Sequence, residues 1–121
     1  MKIYIICPVR HASEDITQLI NDYVNKLEED GHDVHFPPRD VEQNDPTGGY
    51  VICTKHRKAM SQSDEVHIFW DRTSTGSHFD VGMAFFAEKP LKLIEVFGDD
   101  SEGKSYLKVI QKVEKEGYNV I

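Results

Sequence analysis

The chain has 121 residues, and its 14 Lys and Arg against 21 Asp and Glu give a net charge of −7. That length suits one domain spanning residues 1–121, and 39% hydrophobic with 29% charged residues excludes a disordered or fibrous chain. The acidic balance argues against a protein that tracks nucleic-acid phosphates, and no apolar run approaches the ~18 residues of a membrane helix. Two cysteines, Cys7 and Cys53, form neither a disulfide framework nor a zinc-binding pattern and suit a reducing cytoplasm. No leader-like segment opens the sequence, since Met1 and Lys2 run straight into a strand-like stretch. A cytoplasmic protein is expected.

Residues 2–7 (KIYIIC) are too continuously apolar for a half-exposed strand and read as a central strand of a parallel sheet. Ile16, Leu19, Ile20, Tyr23, Val24 and Leu27 then recur at helical spacing, with Ser13 as N-cap and Gly31 as the stop. Residues 33–36 form a short second strand that Pro37 and Pro38 end. Residues 39–49 turn polar and Gly-rich, a loop of the length often reserved for function. A weaker helix follows over residues 50–63, then a third strand over 65–70 (EVHIFW) and a polar turn over 71–77 (DRTSTGS).

Phe79, Gly82, Met83, Phe86 and Ala87 mark the next helix, which Pro90 closes. Residues 91–97 (LKLIEVF) are a fourth strand leaning toward alternation, and 98–103 a loop. Tyr106, Val109, Ile110 and Val113 mark a last helix, and residues 119–121 offer a short fifth strand. Strands separated by helices force parallel pairing through right-handed crossovers. The expected architecture is α/β: a doubly wound, flavodoxin- or Rossmann-like parallel sheet of four or five strands, order 2-1-3-4(-5), with helices on both faces.

Ligands of such sheets bind beyond the strand C-termini, where strands 1 and 3 part. The loops after those strands meet there. In the second, Ser74, Gly76 and Ser77 leave backbone N–H groups free at a helix start, a cradle for an anion or a hydroxyl-rich ligand. Asp80 reads as a first-turn residue of that helix, either a charge complement to the dipole or a nucleophile toward an anomeric carbon. Arg10 precedes the first helix and suits a phosphate or carboxylate, or else pairs with Glu14 on the surface. Cys7 reads as a buried structural thiol rather than a nucleophile. His32 and His35 turn to opposite faces, and the other histidines lack ligand spacing, so no metal site is expected. No P-loop, dinucleotide fingerprint or nucleophile elbow is present.

Two blocks resemble a known family. One is Tyr4, Arg10, Glu14 and Asp15 across the first strand, loop and helix. The other is Ser63-Asp64 followed by Ser74-Thr75-Gly76-Ser77-His78-Phe79-Asp80-Val81-Gly82-Met83-Ala84. With Lys89-Pro90, they resemble the nucleoside 2-deoxyribosyltransferase superfamily over residues 2–97, and within it the 2′-deoxynucleoside 5′-monophosphate N-glycosidases.

The resemblance implies that Asp80 is the nucleophile, where the family usually has Glu. It implies that Tyr4, Pro8, Arg10, Ser74, Gly76 and Ser77 bind substrate, with Arg10 toward the phosphate. The helical Asp that handles the leaving base is replaced here by His56. It implies a nucleoside or nucleotide ligand, no cofactor, and a homodimer or larger homo-oligomer across Tyr50, Phe85 and Phe86. The alternative is a non-catalytic nucleoside- or nucleotide-binding module on the same fold.

Overall fold

The computed structural model describes residues 1–10, 12–98, 105–119 and 121. Four strands, β1 (Lys2–Ile6), β2 (Asp33–His35), β3 (Glu65–Asp71) and β4 (Leu91–Phe97), form one sheet in the order β2-β1-β3-β4. Every pairing is parallel. The helices are α1 (Glu14–Glu29), α2 (Pro37–Asp40), α3 (Tyr50–Ser61), α4 (Thr75–Phe86) and α5 (Tyr106–Glu116). The doubly wound order is as expected, with four strands among the described residues. Asn119 and Ile121 belong to no strand, and Val120 and residues 99–104 lie outside the described set.

β1 and β3 are buried almost end to end because both faces of the sheet are covered. On one face α1 sets Ile20 and Val24 against Ile3, Ile5, Val34 and Phe69. Leu19 is the exposed exception in the α1 stripe. On the other face α3, α4 and α5 bring Met60, Val81, Ala84, Leu107, Ile110 and Val113 onto Tyr4, Ile6, Val66, Ile68 and Trp70. β4 does not keep simple alternation. Its register against β3 slips between Ile68 and Phe69, so Leu93 and Val96 face α5 while Ile94 and Phe97 face the α1 side.

Two local expectations are corrected. Pro37 and Pro38 do end β2, yet they also start α2, because proline's fixed φ suits a first helical turn whose N–H groups need no partner. The loop before α3 is tied down: the Asp45 carboxylate accepts from the N–H of Thr47 at 2.8 Å and of Ile52 at 3.0 Å.

The second correction concerns α4. It begins at Thr75 with Ser74 as N-cap, so Asp80 sits in the second turn, beyond the reach of a first-turn dipole argument. The buried face of α4 is Ser77, Asp80, Val81 and Ala84. The more apolar stripe of Phe79, Gly82 and Phe86 points outward, with Phe86 90% exposed.

Candidate active site

Tyr4 lies mid-strand on β1 with its side chain on the face covered by α3 and α4, and it is completely buried. α3, which packs against α4, carries His56, while α4 carries Asp80 over the junction of β1 and β3. The three side chains meet. Tyr4 Oη donates to Asp80 Oδ2 at 3.0 Å. His56 Nδ1 lies 3.3 Å from both carboxylate oxygens, at the long end of hydrogen-bond range. Asp80 is 7% exposed, so its inward turn on α4 is no surface charge complement.

Burial, then the neighbouring Asp80 carboxylate, pushes the Tyr4 phenol far above its ordinary range. It therefore stays a donor to Asp80. Burial, again reinforced by Asp80, pushes the Cys7 thiol up to about 12, which removes it as a nucleophile and agrees with a structural thiol. Cys53, one turn before His56 on α3, is raised for the same first reason.

A fourth residue joins this group that the sequence reading did not select. His35 pairs in register with Tyr4 across β1 and β2, and its ring stacks on the phenol at 5.2 Å and 23°. His56 meets the same phenol edge-on at 6.1 Å. His35 was dismissed as half of a metal pair with His32; the usable signal was its strand parity, shared with Tyr4 once the register is known.

The other candidates sit around the strand ends. Pro8 is buried just beyond β1, and Arg10 is exposed with no ion pair among the described residues, Glu14 included. Ser74 Oγ caps α4 by accepting from Ser77 N at 3.4 Å, and the two hydroxyls meet at 2.8 Å. Ser77 is 2% exposed, so its hydroxyl is committed inward to Ser74. At Gly76, in the exposed first turn, an added Cβ would meet open space, so steric closeness does not require glycine there. No group of three His, Cys, Asp or Glu side chains among the described residues is placed to hold a metal ion.

The sequence matches no protein-family model and no curated protein. Solved structures do match. A 2-deoxyribosyltransferase from the psychrotolerant bacterium Bacillus psychrosaccharolyticus aligns with a TM-score of 0.66 at 16% identity, over 98% of this chain and 93% of that one. A CMP N-glycosidase from Clostridium botulinum aligns with a TM-score of 0.63 at 19% identity, over 93% and 82%. A conserved protein from Enterococcus faecalis V583 gives 0.64 at 16% identity, over 98% and 77%. The chain shares the fold of these three proteins.

Proposed function

We propose that this protein cleaves or transfers the N-glycosidic bond of a nucleoside or nucleoside 5′-monophosphate, with Asp80 as the nucleophile. The observation that supports this best is the buried Asp80 carboxylate, set between the Tyr4 phenol and the His56 ring. Two proteins on the same fold are named for deoxyribosyl transfer and for CMP N-glycoside cleavage.

One Asp80 oxygen attacks C1′ as the C1′–N bond breaks, giving a glycosyl ester. The departing base keeps the bonding electron pair and takes a proton from the His56 ring. Tyr4 donates to Asp80, holding the carboxylate in line. Water attacking C1′ gives up a proton to the now neutral His56, which restores the Asp80 carboxylate, recharges His56 and releases the sugar; a second base in place of water makes the reaction a transfer.

Pro8, Ser74, Gly76 and Ser77 border the mouth of this site in the proposal, and Arg10, exposed and in no ion pair among the described residues, meets a 5′-phosphate. The outward stripe of Phe79 and Phe86 on α4, with Tyr50 on α3, packs against a second copy of the chain. No described helix is long and apolar enough to cross a membrane.

The test is chromatographic. The protein is incubated with the four deoxynucleosides and their monophosphates, with and without an acceptor base. Free or exchanged base is expected, lost in Asp80→Asn and kept in the exposed control Glu29→Gln. Equal rates in Asp80→Asn overturn the nucleophile assignment. No product from any substrate, together with a ligand-induced rise in Tm, replaces the enzyme with the binding module.

A further inference from the structure

α3 and α4 carry His56 and Asp80, the two ionisable groups that meet in the candidate site, and the helices pack on each other. Each returns the chain to the start of the next parallel strand, so both end at the N-terminal edge of the sheet. A helix end leaves its last carbonyls without partners, and a positive charge is favoured there. At this edge one residue, Lys89, serves both ends.

Through its side chain Lys89 holds α3. Its ammonium donates to the carbonyl of Ser61, the last residue of α3, at 3.0 Å, and to that of Ser63 at 2.8 Å. Ser63 is itself tied back to the helix, its N–H donating to the Met60 carbonyl at 3.1 Å and its hydroxyl to the Ala59 carbonyl at 2.9 Å. Through its backbone Lys89 holds α4. Its N–H donates to the Ala84 carbonyl at 3.0 Å and that of Glu88 to the Phe85 carbonyl at 3.1 Å, the paired bonds of a Schellman stop. Glu88 takes the left-handed position of that stop at φ 53°, where glycine is usual. The Tyr118 phenol donates to the Lys89 carbonyl at 2.6 Å, so Lys89 is held by all three of its polar groups.

These bonds lie close to the site along both helices. Ser61 is five positions beyond His56, about 7 Å of helix, and Ala84 is four beyond Asp80, about 6 Å. A tie at that range sets how one helix lies against the other where His56 meets Asp80. The contact is sensitive to it. At 3.3 Å His56 Nδ1 is already at the long end of hydrogen-bond range, and a further displacement of about 0.3 Å ends the bond.

We infer that Lys89 is a positioning residue for this site: its ammonium and its N–H staple α3 to α4 and so set the reach of His56 to Asp80. Lys89 acts through the two helices and touches no reacting atom. Its kinetic consequence rests on the reading of Asp80 as nucleophile and His56 as acid; its effect on the contact does not.

The test removes the ammonium and keeps the stem in Lys89→Met, and keeps a cation in Lys89→Arg. Ile110→Val, in the α5 core away from the staple, controls for a general loss of stability. The His56 Nδ1 resonance, read by nitrogen NMR, reports the contact, and Asp80→Asn marks its position once the carboxylate is gone. In Lys89→Met the resonance is expected to move most of the way to the Asp80→Asn position. In Lys89→Arg and Ile110→Val it is expected to stay with the wild type. A folded Lys89→Met protein with the wild-type resonance overturns the staple, as does an equal shift in Ile110→Val. If melting shows Lys89→Met unfolded, Lys89→Gln, which still donates to one carbonyl, is read by the same criteria.

In the second measurement kcat of Lys89→Met is expected to fall on the order of tenfold with KM within about twofold, because misplaced reacting groups cost rate rather than binding. Lys89→Arg is expected to restore it, and a Lys89→Arg protein as slow as Lys89→Met overturns the inference. A shifted resonance with unchanged kcat removes His56 as the acid. A shifted resonance in a protein that turns over no nucleoside keeps the staple and removes the glycosidase reading, so the two fail separately.

Discussion

The Tyr4 phenol donates to the Asp80 carboxylate at 3.0 Å across 76 positions of sequence, and the phenol is completely buried. This contact joins the central strand to α4 and fixes the carboxylate that the proposed chemistry uses. Tyr4→Phe keeps the ring's packing and deletes only the donor. Leaving a buried carboxylate short of one hydrogen bond costs about 1–3 kcal/mol. The expected result is a lower Tm and a kcat reduced more than KM is raised, read from denaturation curves and steady-state rates. A Tyr4→Phe protein with wild-type stability would show that Asp80 does not depend on the phenol.

The same burial shapes the response to alkali. Tyr4 is raised far above its ordinary 10.0, Cys7 from 9.0 to about 12, and Tyr118 from 10.0 to about 12 by burial and then Glu88. Each is an acid whose folded pKa exceeds its unfolded one, so the unfolded chain loses protons first. Their contribution is complete below pH ~9 and declines as pH rises through the unfolded values. Unfolding free energy is expected to fall between pH 9 and 11, and phenolate absorbance is expected to show a fraction of tyrosines that titrate only on unfolding. Cys7→Ala together with Cys53→Ala is expected to shift the start of that fall toward pH 10, where the tyrosines take over.

Acid acts through the opposite face of the sheet. His67 is 3% exposed on β3, accepts or donates with Tyr23 Oη at 2.6 Å, and meets Glu65 Oε1 at 2.9 Å through Nε2. Burial lowers its pKa, Lys92 and His32 push the same way, and Glu65 opposes them. In the neutral ring Nε2–H donates to Glu65 and Tyr23 O–H donates to Nδ1, so every group is satisfied. A lowered histidine stabilises the fold above its unfolded pKa, and that contribution is lost as pH falls through the folded value. Tm is expected to drop from pH 7 to 5, with a shallower slope in His67→Gln even though that variant is less stable at pH 7. An unchanged slope would assign the acid limb to other groups, His35 among them.

The fold was legible because its strands are continuous apolar runs bounded by turn residues, and β1, β3 and β4 stand close to where the pattern puts them. α4 was legible as a helix but not as to its face. Its outward stripe holds Phe79 and Phe86, while its inward face holds Ser77, Asp80, Val81 and Ala84, so hydrophobicity alone points the helix the wrong way. The site residues lie 52 positions apart from Tyr4 to His56 and 24 more from His56 to Asp80. No local spacing links them, and it took a family resemblance to bring them together. His35 was invisible because strand parity becomes informative only when the pairing register is known.

The outward face of α4 yields the last prediction. Phe86 is 90% exposed, Phe79 56% and Tyr50 73%, a concentration of aromatic surface beside the candidate site. An exposed substitution away from any contact changes stability by no more than about 0.5 kcal/mol. If the stripe packs against a second copy, Phe79→Lys with Phe86→Lys buries four like charges at a two-fold interface and prevents association. The wild type is expected to elute and scatter light as a dimer or larger assembly, and the double variant as a monomer of 13.9 kDa scale. Its Tm is expected to lose the concentration dependence that an associating protein shows. A wild type that is monomeric at every concentration overturns the interface and leaves the stripe as solvent-exposed surface. Loss of activity in a folded monomeric variant would further show that the site beside Asp80 needs the second chain.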